Sequence, residues 1–153
     1  MADYFLKLDG IAGESADAKH KDEIELVSFS WGVTQQLLTE GSGGASVGRA
    51  QFKDFEFTKK VDKASPQIFL ATVSGKHIKE ASLSVRRAAK VALEYLKIKF
   101  TDVIVTSYQQ AGGADAPQEV IAFDFRQIQL EQASGEAATP VQVGWNLAEN
   151  LKI

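Results

Sequence analysis

The sequence predicts a mainly β protein, an antiparallel barrel or sandwich with one short flanking helix. Most of the chain alternates apolar and polar residues with the period of two that a half-buried strand requires, in seven or eight segments. A single stretch, about residues 66–74, carries the start and stop signals of a helix. Short connections rich in glycine and small polar residues separate the segments, which is typical of hairpins in an antiparallel fold.

Side-chain alternation predicts the strands in order. Tyr4, Leu6 and Leu8 share one face of the first strand. In the second strand an apolar face, expected to point into the core, alternates with a small polar face. The apolar face consists of Val27, Phe29, Trp31 and Val33, and the polar face of Ser28, Ser30 and Gly32. Further strands are predicted around residues 55–57, 80–86, 93–108, 121–130 and 141–147.

Two irregularities are predicted within the long strands. The longest apolar run is expected to bend near residues 101–102. The alternation that runs through Phe125 resumes out of phase at Ile128, which predicts a β-bulge around residues 126–127.

The predicted helix has a defined beginning and end. Ser65 is in the position of an N-cap, with a side-chain oxygen for an unpaired amide, and Pro66 fits the first helical position. Gly75 is expected to end the helix in a left-handed turn. The face predicted to pack on the strands carries Ile68, Phe69, Thr72 and Val73.

Three segments of small residues are interpreted as hairpin tips of one domain, residues 1–153. They lie at residues 40–48, 110–117 and 134–140. The first is expected to be exposed and mobile unless a partner holds it. The chain has no internal repeat and no composition typical of a linker between domains.

Composition excludes several classes of protein. The chain has no cysteine, so it forms no disulfide and no thiolate metal site. Residues 1–7 lack the basic region and long apolar run of a secretory signal. No apolar stretch approaches the ~20 residues that a membrane span needs. We expect a protein made in the cytoplasm, without membrane insertion, whose export bypasses a cleaved leader.

Charge is distributed unevenly along the chain. Residues 1–50 carry four Lys/Arg and eight Asp/Glu, residues 51–100 eleven and five, and residues 101–153 two and seven. Nucleic-acid binding is disfavoured, because the whole chain is acidic and its basic residues are not interleaved with an aromatic platform. A basic middle between acidic flanks leaves two interpretations open, a head-to-tail protein interface or charge balance within the chain.

No catalytic residue, cofactor site or metal site is predicted, and the chain is not expected to be an enzyme. His20 and His77 are far apart in sequence and each lies beside a lysine, so both are expected to be exposed. The glycines lack the spacing of a phosphate loop, and there is no G-x-S-x-G motif. A hydrolase with a carboxylate pair assembled from distant strands stays open.

Eight short motifs occur in order over essentially the full length. They are DGIAGES at 9–15, HKDEIE at 20–25, SFSWG at 28–32, FTK at 57–59, DKASP at 62–66, SGKH at 74–77, TSY at 106–108 and GWNL at 144–147. Each motif is weak alone, but the ordered set closely resembles the Hcp family, the haemolysin-coregulated proteins of bacterial type VI secretion.

The resemblance implies a fold and a function. Family members are compact β-barrels with one flanking helix that form hexameric rings. Rings stack into the inner tube of a contractile, phage-tail-like apparatus, which has a baseplate, a spike protein and a sheath. The tube is expelled when the sheath contracts, and some members hold small effectors inside the ring. Export through this apparatus needs no signal peptide.

Three surfaces are hypothesised from charge and side-chain size. A ring needs two unlike faces on each subunit, and Lys59, Lys60 and Lys63 are predicted to belong to one of them. Ser28 and Ser30 are predicted to line a lumen; plain solvent or another layer of the subunit is the alternative. A glycine-rich loop is predicted to stack on the next ring through backbone hydrogen bonds. That loop contains Gly41, Ser42, Gly43, Gly44 and Ala45.

An alternative function is a monomeric β-barrel ligand-binding module for a carbohydrate or an oligonucleotide. Such a module needs an exposed aromatic platform. Trp31 and Trp145 lie in the apolar phase of their strands and are expected to be buried, which disfavours this alternative.

Overall fold

The computed structural model describes residues 2–39, 45–87, 93–135 and 137–153. This part of the chain folds into antiparallel strands and one helix, as predicted. The helix α1 spans Ser65–Ser74. The strands are β1 (Ala2–Leu8), β2 (Ile24–Leu26), β3 (Ser28–Ser30), β4 (Val33–Thr34), β5 (Leu37–Thr39), β6 (Ala45–Val47), β7 (Gln51–Phe52), β8 (Phe55–Lys60), β9 (His77–Arg87), β10 (Leu93–Ala111), β11 (Gln118–Gln132), β12 (Val141–Asn146) and β13 (Leu151–Lys152).

The main sheet is built around β10 and β11, the two longest strands. Its hydrogen-bonded order is β13-β12-β11-β10-β9-β1-β2, and β11 also pairs with β8, which pairs with β3. The C-terminal part of β11, from Gln127 to Gln132, pairs with β12. Its N-terminal part, from Gln118 to Phe123, pairs with β8. The hairpin of β10 and β11 therefore belongs to both halves of the sheet.

A single residue joins β2, at one end of this sheet, to β3, the last strand of the branch that leaves β11 through β8. β2 pairs with β1, β3 pairs with β8, and Val27 alone separates β2 from β3. The Val27 N–H donates to the Thr58 carbonyl at 2.7 Å, so the contact with β8 extends through this residue. The strands β3, β8, β11, β10, β9, β1 and β2 thus follow one another around a common core, in the barrel-like arrangement that the sequence predicts.

Phenylalanine rings fill the centre of the core. Phe55 is fully buried, and its ring centroid lies 4.9 Å from that of Phe100 and 5.0 Å from that of Phe123. The Phe100 and Phe125 centroids are 4.8 Å apart, and Phe29 stacks on Phe55 at 5.8 Å. Aromatic pairs at these spacings stabilise the core beyond the burial of their area.

Three central strands change face at the same level of the sheet. Along the core-covering part of β9, β10 and β11 buried side chains alternate with more exposed ones, but at one point in each strand two non-buried residues, instead of one, lie between consecutive buried residues. These pairs are 79–80 in β9, 101–102 in β10 and 126–127 in β11. Because the three strands change face together, the side chains that cover the core stay matched across the sheet.

The shared change of face confirms one prediction and corrects another. The irregularity predicted in β10 is present at Asp102, which adopts a left-handed φ of 56°. The bulge predicted around residues 126–127 is wrong, because the pairing of β10 with β11 keeps one register from Phe100 to Val105. The register shifts instead between Val105 and Ser107. The change of side-chain phase is real, but it affects both strands equally.

The helix begins and ends close to its predicted bounds, with a different N-cap. Gly75 follows it with a left-handed φ of 65°, as predicted. The N-cap position belongs to Ala64, and Ser65 is already helical, so the predicted cap is wrong. The Ser65 hydroxyl is occupied by other partners, including the N–H of Asp62 at 3.0 Å.

The helix packs through a narrower face than predicted. Ile68 is fully buried, whereas Phe69 and Val73, expected on the packing face, are 53% and 65% exposed. Thr72 is half-buried, and its hydroxyl donates to the Ile68 carbonyl at 2.7 Å. The helix rests mainly on β10, so one row of side chains is enough to cover the contact.

After Ser30 the chain leaves the main sheet and forms a separate segment, residues 31–52, which we call the arm. The arm contains two small antiparallel ladders, β4 with β7 and β5 with β6. Val27 and Val33 are nearly half exposed instead of facing the core, so this part of the second predicted strand is wrong. The alternation of apolar and polar residues continues past Ser30, but the strand of the main sheet ends there, so the apolar residues that follow are not covered.

Candidate functional site

Ser28 and Ser30 lie on the outward face of β3. Both are exposed, while Phe29 between them turns towards the core. The register with β8 places Ser28 beside Thr58 and Ser30 beside Glu56. The structure therefore brings the two serines together on a polar surface that they share with Thr58 and Glu56. What this surface meets in an assembly stays a prediction.

Lys59 is the centre of a buried polar network. Its side chain is fully buried, and its ammonium lies 2.7 Å from Glu119 Oε1 and 2.6 Å from Asp62 Oδ1. The same ammonium donates to the Ser65 hydroxyl at 3.0 Å and to the Lys60 carbonyl at 3.1 Å. A buried charge without partners is unfavourable by several kcal/mol, so these contacts are what allows the ammonium to be buried.

Glu119 is buried as completely as Lys59, and both of its carboxylate oxygens accept hydrogen bonds. Oε1 accepts from the Ser65 hydroxyl at 2.6 Å. Oε2 accepts from the Tyr108 hydroxyl and from the Gln110 amide, the latter at 2.7 Å. Among the described residues no buried side-chain nitrogen or oxygen lacks a partner. The network therefore joins β8, α1, β10 and β11 as a satisfied structural unit.

The network separates the three lysines that the sequence groups together. Lys60 and Lys63 are exposed, whereas Lys59 is in the interior, where its charge is balanced within the subunit. The sequence contained a signal for this difference, because Lys59 continues the alternation of Phe55 and Phe57 and so shares their inward phase. Contact of these lysines with a neighbouring subunit stays a prediction.

An open apolar groove of about 420 Å³ lies between the arm and the edge of the main sheet. The Arg49 guanidinium spans the two by donating to the Leu147 and Ala148 carbonyls at 3.0 and 2.9 Å. The expectation that both tryptophans are buried holds only in part, since each is half-buried: it packs against the core and is partly open to the groove. The groove is lined by Trp31, Val33, Gln35, Ala50, Phe52, Ile128, Leu130, Val143, Gly144, Trp145 and Lys152.

The two histidines have different surroundings. His77 is exposed, as predicted. His20 is buried, so its predicted exposure is wrong: its ring stacks on Phe5 at 4.4 Å and lies between the carboxylates of Glu23 and Glu94. Glu94 is 74 residues away along the chain, so no local sequence pattern predicts this contact.

The predicted stacking loop is described in part. Ala45 begins β6 and pairs with Thr39 of β5, while Leu37 and Val47 of the same hairpin are 67% and 66% exposed. Outside the described residues lie Gly41, Ser42, Gly43 and Gly44.

The described residues form neither a metal-binding cluster nor a membrane-spanning helix. Within them, no group of three or more His, Cys, Asp or Glu side chains is arranged to hold a metal ion. In the same part of the chain, no helix has both the length and the apolar character needed to cross a bilayer.

Comparison with known proteins gives consistent matches. The profile of the family described as "Type VI secretion system effector, Hcp" matches residues 5–132. Protein hcp1 of Pseudomonas aeruginosa is 34% identical over 158 aligned positions, covering 98% of each chain. The crystal structure of Hcp1 from Salmonella typhimurium is 35% identical, covers 99% of each chain and has a TM-score of 0.87. A type VI secretion system effector from Yersinia pestis is 36% identical, with 94% of this chain and 99% of that chain covered and a TM-score of 0.80.

A β fold with one short helix and these full-length matches define a protein of the type VI secretion system. The chain belongs to the Hcp family. The resemblance carried by the eight sequence motifs is thereby confirmed.

Replacing Lys59 with methionine leaves the buried Glu119 carboxylate without its cation. We expect the free energy of unfolding to fall by about 3–5 kcal/mol, the usual effect of removing one partner of a buried ion pair. Urea denaturation followed by circular dichroism measures the change. Lys7→Met, at an exposed position of β1, is the control and should change stability by less than about 0.5 kcal/mol. A Lys59→Met protein as stable as the control contradicts the structural role of the network.

Proposed function

We propose that this chain is a structural subunit of the type VI secretion inner tube. In this proposal the whole chain, residues 1–153, acts as one Hcp-like domain that forms hexameric rings. The rings stack and are expelled together with effectors. The observation that carries the proposal is similarity to Hcp proteins over 98–99% of the chain, in sequence and in backbone structure.

A closed ring requires that one side of each subunit binds a different side of the next. Lys60 and Lys63, exposed at the end of β8 and before α1, lie in the basic middle of the chain and are proposed to contribute to one side. The acidic flanks would supply the other. Exposed ion pairs contribute only ~0–1 kcal/mol each, so these charges orient the subunits while apolar and backbone contacts stabilise the ring.

Reversing both charges, Lys60→Glu with Lys63→Glu, should weaken the ring at low salt. We expect wild type to have six times the subunit mass by light scattering coupled to size exclusion, and the variant to shift towards smaller species. Added salt should reduce the difference, since it screens exposed charges. Lys7→Glu with Lys19→Glu, outside the basic middle, is the control. An unchanged mass of the first variant at low salt contradicts the interface assignment.

The serine surface on β3 is the proposed wall of the lumen. Ser28 and Ser30 are small, polar and uncharged, and they are exposed beside Thr58 and Glu56 of β8. Side chains of this kind leave room for a passenger protein and bind it weakly, which suits a tube that has to release its effector. Any part of the effector that fills the lumen would contact this surface directly.

Ser30→Gln should reduce retention of a co-expressed effector while the ring stays intact. The longer side chain narrows the lumen and alters the contact surface without changing charge. Co-purification of effector with rings of verified mass measures retention. Ser82→Gln is the control, because Ser82 lies on the outward face of β9, beside Lys7 and Lys99. Equal loss of effector in both variants, or in neither, contradicts the assignment of the lumen to β3.

The hairpin of β5 and β6 is the proposed contact between stacked rings. It pairs with neither half of the main sheet, and its exposed Leu37 and Val47 are directly opposite each other in register. The predicted loop residues, Gly41 to Ala45, connect its strands. Backbone hydrogen bonds from such a hairpin to another ring would add to the apolar contact.

Deleting residues 42–45 should prevent stacking and leave single rings. The deletion removes backbone groups proposed to bond the next ring without altering the core. Electron microscopy of concentrated protein measures tube length. A deletion of residues 112–114, in the exposed connection between β10 and β11, is the control. Tubes of normal length after the first deletion would show that the hairpin tip is passive.

The proposal also assigns partners and location. The spike protein, the sheath and the baseplate are the expected partners within the apparatus, and small effectors are the cargo. The chain is proposed to be made in the cytoplasm and then secreted through the apparatus without a signal peptide. Its role is structural, with no catalysis, cofactor, nucleic acid or membrane insertion.

A second candidate function is supported by the open groove. Its two half-exposed tryptophans supply the aromatic platform that a ligand-binding module needs, so a monomeric binding role is the alternative. The same light-scattering measurement separates the two. A six-fold mass favours the ring, and a monomer at every concentration favours the module.

A further inference from the structure

The connection between β1 and β2, residues 9–23, folds into a compact loop with its own hydrogen bonds. The Gly13 N–H donates to the Asp22 carbonyl at 2.7 Å, and the Ser15 N–H donates to the Glu23 carbonyl at 3.0 Å. A Cβ at Gly13 would lie 2.4 Å from the Glu23 carbonyl oxygen, so the two limbs of the loop touch. The loop is therefore held together internally, and its position depends on separate contacts to the sheet.

Two polar side chains attach the loop to neighbouring strands, in addition to Ile11, which packs in the core. The Asp17 carboxylate accepts from the Arg86 guanidinium of β9 at 2.7 Å. His20 reaches further, to Glu94 at the start of β10, and its ring stacks on Phe5 of β1 at 4.4 Å. The Arg86 guanidinium also lies over the Phe5 ring, 4.9 Å from its centroid.

The Asp17 contact keeps its charges at every ordinary pH. The hydrogen bond from Arg86, together with one from the Lys19 N–H, lowers the pKa of Asp17 to about 2. The hydrogen bond to Asp17 in turn raises the pKa of Arg86. This attachment is consequently independent of pH between about 5 and 9, where histidine is the side chain that ordinarily changes charge.

The His20 contact has a different chemistry, because a carboxylate faces each ring nitrogen. Nδ1 lies 3.0 Å from Glu23 Oε2, and Nε2 is bonded to Glu94 Oε1. Burial acts to raise the pKa of Glu94, but the hydrogen bond and charge of His20, with Lys97, lower it overall. Glu94 is thus an ionised acceptor, and an ionised carboxylate cannot donate a proton to the ring.

Two acceptors require two donors, and imidazole has two N–H groups only when it is protonated. A neutral ring would present a lone pair to one of the two carboxylates, in a site where the His20 side chain is 7% exposed. The contact between the loop and β10 is satisfied by the imidazolium and opposed by the neutral imidazole. The other charged groups around the site are Asp17, Lys19, Lys21 and Asp22 on the loop, Asp3 on β1, Glu25 on β2, Arg86 on β9 and Lys97 on β10.

We propose that His20 is a proton-dependent clasp, which fixes the β1–β2 loop to the start of β10 when protonated and loosens it when neutral. The closed clasp satisfies both carboxylates only while the His20 ring carries an N–H group on each nitrogen. Loop attachment is therefore strongest at low pH and weakens as the pH rises through the range in which histidine loses its charge. The Asp17–Arg86 pair remains, so the loop loosens without leaving the sheet.

Hydrogen exchange of the assembled protein, read by mass spectrometry, tests the clasp. After correction for the intrinsic effect of pH, protection of amides in residues 13–23 should fall about tenfold between about pH 6 and pH 9, the effect of losing one charge-assisted hydrogen bond. His77→Gln should behave like wild type. Since His20 and His77 are the chain's two histidines, this control separates their contributions.

Glu94→Gln is the decisive variant. The glutamine amide can donate to a neutral Nε2 while Nδ1–H still donates to Glu23, so the clasp no longer needs the extra proton. Protection of the loop should then be the same at both pH values. Flat protection in wild type overturns the proposal, and so does a fall in Glu94→Gln equal to that of wild type. The proposal is also overturned if the fall in protection with rising pH disappears in His77→Gln. This last test does not depend on the folding of Glu94→Gln.

Discussion

The fold depends on one hairpin that serves two sheet halves. β10 and β11 pair with β9 and β12 near one end, and near the other end β11 pairs with β8, which in turn pairs with β3. A strand with uninterrupted alternation cannot cover a core that curves around it in this way, because its buried face has to change. The shared change of face at residues 79–80, 101–102 and 126–127 meets this requirement without breaking the pairing register. This change of face keeps the core phenylalanines buried and the alternate side chains pointing outward on both sides of it.

The Lys59–Glu119 network holds a second junction of the fold. At this point β8 ends, α1 begins and the N-terminal part of β11 contacts both, so several polar groups are removed from water together. These polar groups satisfy one another's hydrogen bonds. Because hydrogen bonds require defined directions and apolar packing does not, the network fixes the relative orientation of the elements it joins. It orients α1 on the sheet although the helix itself buries little more than Ile68 and Ala71.

Much of the fold could be predicted from the sequence, because strand alternation and helix signals are local. For example, Gly75 ends the helix in the predicted left-handed turn, and the phenylalanines of the core are buried as their alternation predicts. The site residues were harder for different reasons. Lys59 had the phase of a buried residue, but a lysine is normally exposed unless its partner is known, and Glu119 lies far along the chain. The burial of His20 depends on its contact with Glu94, and the partial exposure of Trp31 depends on the arm leaving the sheet. Neither feature has a local sequence pattern.

The groove beside the arm gives the protein an internal optical probe. The chain's two tryptophans, Trp31 and Trp145, are both among its lining residues and both half-exposed. Indole emission depends on contact with water, and in this chain all of it originates at one location. Any molecule or subunit that covers the groove would therefore shift the fluorescence of unlabelled protein, whereas events elsewhere on the barrel would leave the emission spectrum unchanged.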